Sequence, residues 1–124
     1  MDRKKVLIVD DEMYIRLLVR SLLSRDYTIL EASDGEEAVA MARAQSPDLI
    51  LMDVMMPKLD GVGACYVLKS YSETKGIPVI MLTALTDQLD QQYSRDMGAD
   101  GYMTKPFSSK TLLDTVNRLL TNPE

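Results

Sequence analysis

Histidine is absent from the 124 residues of this chain. That removes the commonest general base, the usual zinc ligand and any histidine that could itself donate a phosphoryl group. The single cysteine, Cys65, excludes an internal disulfide, and its place between Val62 and Leu68 on an expected helix reads as a small buried hydrophobe. No apolar run approaches the roughly 20 residues needed to span a bilayer. The opening MDRKKVLIV carries charge but no long apolar stretch with a cleavage site, so a soluble, cytoplasmic chain is expected. Positive charge is scarce as well, with 14 Lys and Arg against 19 Asp and Glu, a formal charge of −5 and a pI near 4.7. Such a surface is poorly suited to gripping DNA or anionic lipid unaided, and the expected partner is another protein. No glycine-rich phosphate loop ending in Gly-Lys-Ser or Gly-Lys-Thr is present, so direct use of ATP is not expected.

What the chain does have is alternation. Val6-Leu7-Ile8-Val9 reads as a strand buried on both faces, and Ile15, Leu18, Val19, Leu22 and Leu23 then recur at helical spacing. Arg16, Arg20 and Ser24 fall on the outer face of that helix. Tyr27 to Leu30 is a second strand, followed by a helix from Glu36 to Gln45. Ser33 or Asp34 would start this helix, with Glu36 or Glu37 in capping-box position. Leu49 to Met52 and Val79 to Leu82 are further buried strands, separated by a helix from about Gly61 to Ser70 that Asp60 can cap. Weaker signals give a polar helix around Leu89 to Met97 and a short strand from Gly101 to Met103. A clear last helix follows Ser108, with Leu112, Leu113, Val116, Leu119 and Leu120 in one stripe. Five strands alternating with five helices imply one α/β domain over residues 1–124. Its parallel sheet would be doubly wound, with right-handed crossovers and helices on both faces.

In such a sheet, ligands bind at the carboxyl ends of the strands. The first strand ends in Asp10-Asp11-Glu12, the third in Asp53, the fourth in Thr83, and the fifth leads to Lys105-Pro106-Phe107. Carboxylates brought within about 4 to 6 Å repel, each pair by roughly 4 kcal/mol at an effective dielectric of ~20. A divalent ion would offset this, and an all-oxygen donor set favours Mg²⁺, or Mn²⁺ in its place. With Lys105 as a fixed cation and Thr83 as a hydroxyl donor, the edge could draw a dianionic phosphoryl group towards a carboxylate. Each residue also has a plainer reading. Asp11 could cap the first helix, Thr83 could be an ordinary strand end, and Lys105 a solvated lysine. Asp53 is harder to dismiss, since an ionised group after four buried apolar residues needs a partner or a purpose.

The segments VLIVDDE, LILMDVMMPKLDG, VIMLTA and GADGYMTKPF, in this order and spacing, resemble the receiver domains of two-component response regulators, chemotaxis regulators among them, over essentially the full chain. The resemblance implies a flavodoxin-like fold with strand order 2-1-3-4-5. Asp53 would be the phosphoacceptor, with Mg²⁺ held by Asp10, Asp11, Asp53 and the backbone carbonyl of Met55. Thr83 and Lys105 would contact the phosphoryl group, and the Lys105–Pro106 bond would be cis. The resemblance also implies a switch in which Thr83 moves towards the phosphoryl group and Tyr102 turns inward. The alternative for Tyr102 is a half-buried strand tyrosine with its hydroxyl in water. Ala84 is small and leaves the acceptor reachable, while apolar Met55 and Leu85 flank it.

The implied donor is a histidine kinase, a histidine phosphotransfer protein or a small acyl phosphate. The implied output is a downstream effector protein, a fused output domain or a phosphorylation-dependent homodimer, with no direct binding of nucleic acid or membrane. Regulators that pair to bind DNA typically carry complementary charges on their last strand and last two helices. Gly101, Thr111 and Thr115 depart from that pattern. A haloacid dehalogenase-type hydrolase would need an acid where Met55 stands, and a flavin carrier would need a Ser/Thr/Gly-rich first loop in place of Asp10-Asp11-Glu12. A degenerate receiver that serves only as a docking module would not need the complete set of Asp10, Asp11, Asp53, Thr83 and Lys105.

Overall fold

The computed structural model describes residues 3–56, 58–84 and 98–120. In chain order the elements are β1 (Lys5–Val9), α1 (Met13–Leu23), β2 (Thr28–Ala32), α2 (Gly35–Gln45), β3 (Leu49–Asp53), α3 (Gly61–Ser70), β4 (Val79–Thr83), β5 (Gly101–Thr104) and α4 (Ser109–Leu120). The five strands form one parallel sheet in the order β2-β1-β3-β4-β5. The helix expected near Leu89 to Met97, and Leu85, lie outside the described residues.

Side-chain alternation along the central strands divides the core in two. Leu7, Val9, Ile50, Met52, Val79 and Met81 pack with Ala38, Ala42, Ala64 and Leu68 beneath α2 and α3. Val6, Ile8, Leu49, Leu51, Ile80 and Leu82 pack with Val19, Leu23, Leu112 and Val116 beneath α1 and α4. The apolar runs are therefore unbroken because both faces of each strand are covered. Cys65 is free and wholly buried among the first group.

The helix starts follow their side chains. The carboxylate of Asp34 accepts from the Glu37 backbone N–H, and Glu37 Oε1 in turn accepts from Ser33 N and Oγ. Asp34 thus caps the helix, and Glu37 reaches back past the cap to the residue before it. Asp60 Oδ1 accepts from Gly63 N, and Ser108 Oγ from Thr111 N. The start of α1 has no side-chain cap, which sets aside the capping alternative for Asp11.

Two readings from sequence are corrected. The second strand runs to Ala32, two residues beyond Leu30, because Glu31 finds partners within the fold. Arg16 does not lie on a solvated outer face. Its side chain is only 16% exposed and bonds both Glu31 and the backbone carbonyl of Asp10. Ile29 and Glu31 point to the same side of β2, towards α1, so the arginine turns inward to meet the acid.

Gly61 shows how tightly the site is built. Its N–H donates to Val54 O, and a Cβ placed on it would run into the carbonyl oxygen of Asp53. Gly61→Ala is expected to cost roughly 3 kcal/mol in denaturant unfolding, the upper end for overpacking. Gly76→Ala, with nothing within 4 Å of its Cβ position, is expected to leave stability unchanged or slightly improved. Equal stabilities for the two variants would contradict this packing.

Candidate functional site

The sheet order places the carboxyl ends of β1 and β3 side by side, with β4 and β5 beyond them. Each end is pinned by its backbone. Asp10 N donates to Ala32 O, Val54 N to Leu82 O, and Lys105 N to Thr83 O at 2.7 Å. The side chains that leave these ends consequently converge.

Oxygen atoms of Asp10, Asp11 and Asp53 all lie within 4.8 Å of one another. Asp10 is completely buried, Asp53 is 5% exposed and Asp11 faces solvent. Lys105 reaches across them from the end of β5. Its ammonium lies 2.8 Å from Asp10 Oδ2, 3.3 Å from Asp53 Oδ1 and 3.9 Å from Glu12 Oε1. Asp10 Oδ1 accepts from Glu12 N at 2.9 Å, and Asp53 Oδ1 accepts a longer 3.3 Å bond from Met55 N.

Burial pushes the Asp53 carboxyl up to about 6, helped by the charge of Asp10 and opposed by Lys105. Burial alone would lower the Lys105 amine, but its bonds to Asp10 and Asp53 outweigh that and leave it raised. Three carboxylates against one ammonium leave two negative charges uncompensated in the cluster. Their oxygen donors, charge and spacing fit a hard divalent cation such as Mg²⁺ or Mn²⁺.

The remaining expected residues are close by in the fold. Thr83 is buried at the end of β4, paired in register with Thr104, and Ala84 beyond it is exposed. Met55 is 70% exposed. Tyr102, opposite Met81 on β5, is partly buried and packs against the α2–α3 side of the core. The Lys105–Pro106 peptide bond is cis. A cleft of about 380 Å³ opens next to Lys105 and Ala84, walled by Tyr14, Ile15, Leu18 and Phe107. Arg16 is the neighbour that sequence reasoning missed; the signal available was a glutamate in strand register two residues after Ile29.

A parallel doubly wound sheet with an acidic pocket and a lysine at its carboxyl edge defines the chemotaxis-regulator class of α/β signalling modules. The chain belongs to the response regulator receiver domain family, whose model matches residues 6–117. It is 45% identical over 124 residues to the "Probable transcriptional regulator ycf27" of Cyanophora paradoxa, covering 99% of this chain and 51% of that protein. It is 43% identical over 122 residues to the alkaline phosphatase synthesis transcriptional regulatory protein PhoP of Bacillus subtilis, covering 98% and 50%. The chain therefore spans about half the length of these curated relatives.

Among solved structures, the chemotaxis protein CheY4 of Vibrio cholerae superposes with a TM-score of 0.89 at 38% identity, covering 95% of this chain and 99% of that one. The receiver domain of sensor histidine kinase PA1611 from Pseudomonas aeruginosa superposes at 0.88 with 30% identity, covering 97% and 99%. That structure is described with a magnesium ion coordinated in its active-site cleft. Among the described residues, no helix is long and apolar enough to cross a membrane.

Proposed function

We propose that this receiver domain accepts a phosphoryl group on Asp53 from a phosphohistidine donor or a small acyl phosphate, in a divalent-cation-dependent reaction, and relays it as a change of shape. The observation that carries this function is the placement of Asp53. It is a nearly buried carboxylate at a strand end, within 3.3 Å of a lysine and within 4.8 Å of two further acids. The magnesium-bound relative supports Mg²⁺ as the ion, with Asp10, Asp11, Asp53 and the Met55 carbonyl as the groups that would hold it. Bound there, Mg²⁺ would neutralise charge on the phosphoryl oxygens and on the carboxylates.

The chain's own residues account for the rest. An oxygen of Asp53 attacks phosphorus, the new O–P bond forms as the donor's P–N or P–O bond breaks, and the leaving group keeps that electron pair. Lys105 supplies a second positive charge beside the transferring group. Thr83 would donate its hydroxyl to a phosphoryl oxygen. The exposed position of Ala84 keeps the approach open. Tyr102 would reposition with Thr83, reshaping the surface around β5 and α4 for an effector protein, a fused output domain or a second copy of the chain.

Acetyl phosphate with Mg²⁺ is expected to add one phosphoryl group per chain by intact mass, and Asp53→Asn to abolish the gain. Uptake that survives the substitution would sink the assignment of Asp53, and a parent chain that takes up nothing would favour a degenerate, phosphorylation-independent module. Tyr102→Ala is expected to be phosphorylated like the parent while losing the phosphorylation-linked change in hydrogen exchange over β5 and α4. An unchanged exchange response in that variant would remove Tyr102 from the switch.

A further inference from the structure

Four contacts fix the main chain and carboxylate of Asp10. Its N–H donates to Ala32 O, its Oδ1 accepts from Glu12 N, and its Oδ2 accepts from Lys105. The fourth contact is to its backbone carbonyl, and it comes from outside the acidic pocket. Arg16 Nη1 donates to that oxygen at 2.7 Å, while Nε of the same guanidinium donates to Glu31 Oε1 at 3.0 Å. Glu31 is held in turn by Arg20, whose Nε donates to Oε2 at 2.7 Å and whose Nη2 donates to Ile29 O at 3.3 Å. The peptide that joins Asp10 to Asp11 is thus braced against β2 through a forked arginine.

We propose that Arg16 is a positioning residue for the divalent cation, holding the Asp10-Asp11 peptide in the orientation that turns both carboxylates to one point. The inference rests on the metal-dependent function given above and deepens it. Arg16 itself need not touch the ion. A planar guanidinium can serve Glu31 and Asp10 at once because its donors diverge in a fixed plane, whereas a lysine ammonium cannot span the two. Positioning and charge act here in opposite directions. A cation beside the pocket would by itself repel Mg²⁺, so loss of the Arg16 charge alone would tighten metal binding. Loss of the brace would loosen it.

The opposition makes the idea testable with the whole chain and Mg²⁺ alone, by titration calorimetry, with melting in EDTA as the check on folding. Arg16→Lys, which keeps the charge and loses the fork, is expected to weaken Mg²⁺ binding roughly tenfold, as substitutions behind metal ligands do. Arg16→Gln is expected to weaken it too, although it removes a repelling charge. Arg20→Lys also loosens the hold on Glu31 but touches nothing on Asp10, and it should bind Mg²⁺ like the parent. Parent-like affinity in Arg16→Lys, tighter binding in Arg16→Gln, or equal losses in Arg16→Lys and Arg20→Lys would each overturn the positioning role while leaving the metal-dependent function standing. A parent chain that binds no Mg²⁺ would overturn both. If either Arg16 variant fails to melt cooperatively in EDTA, the other decides the question, and failure of both while Arg20→Lys folds would make Arg16 a structural residue and overturn the proposal.

Discussion

Asp53→Asn, assayed without divalent ions at pH 8, is expected to melt above the parent while taking up no phosphoryl group from acetyl phosphate. The two outcomes have one physical origin. Asp53 is almost fully buried against Asp10, and its carboxyl titrates near 6, above the ordinary carboxylate range. A folded-state pKa raised above the unfolded value means that the fold prefers the protonated acid. The ionised form therefore carries a penalty that is absent below about pH 4 and grows through pH 6, to reach its full size above that. Screening by solvent tempers it to the order of 1–2 kcal/mol. An amide of the same shape removes the penalty, and Lys105 keeps its 2.8 Å bond to Asp10. The stabilisation should accordingly be largest at pH 8 and vanish towards pH 4, as thermal melts across that range in EDTA would show. A variant that melts lower at every pH would mean that the Asp53–Lys105 contact outweighs burial and the charge of Asp10.

Removing the divalent ion is expected to have an equally large effect on the parent. EDTA should reduce phosphoryl uptake to background, since two uncompensated negative charges in the cluster would otherwise face an incoming dianion. Added Mg²⁺ should raise the melting temperature in step with its concentration, by about 2.7 kcal/mol of stability at one hundred times the dissociation constant. Asp10→Asn should lose most of that rise, because Asp10 is the cluster's completely buried carboxylate. A melting temperature indifferent to Mg²⁺ in the parent would contradict the metal site.

The parts of the fold that could be read from sequence are those where burial is complete. Val6 to Val9, Leu49 to Met52 and Val79 to Leu82 are apolar without interruption because helices cover both faces of each strand. The acids at their ends could be placed together for the same reason, since parallel strands deliver all their carboxyl ends to one edge. Legibility failed where charge was satisfied inside the fold. The second strand seemed to stop at Leu30, before Glu31, and Arg16 looked like an outward helix residue, yet the two are partners. Pairing between residues fifteen positions apart leaves no periodic trace in either element. The start of α2 was ambiguous for a different reason: Ser33 and Asp34 are both capping residues and Glu36 and Glu37 are both acids at the right distance, and only the hydrogen bonds select Asp34 and Glu37. The switch roles proposed for Thr83 and Tyr102 rest on family resemblance alone, because an ordinary strand would bear the same residues.

The most direct test of the central claim is to locate the modification. After treatment with acetyl phosphate and Mg²⁺, peptide mass spectrometry under conditions that preserve acyl phosphates should find the phosphoryl group on the segment Leu49–Met56, at Asp53. A phosphoryl group found on any other residue, or a parent chain that stays unmodified while its Mg²⁺ site is filled, would contradict it.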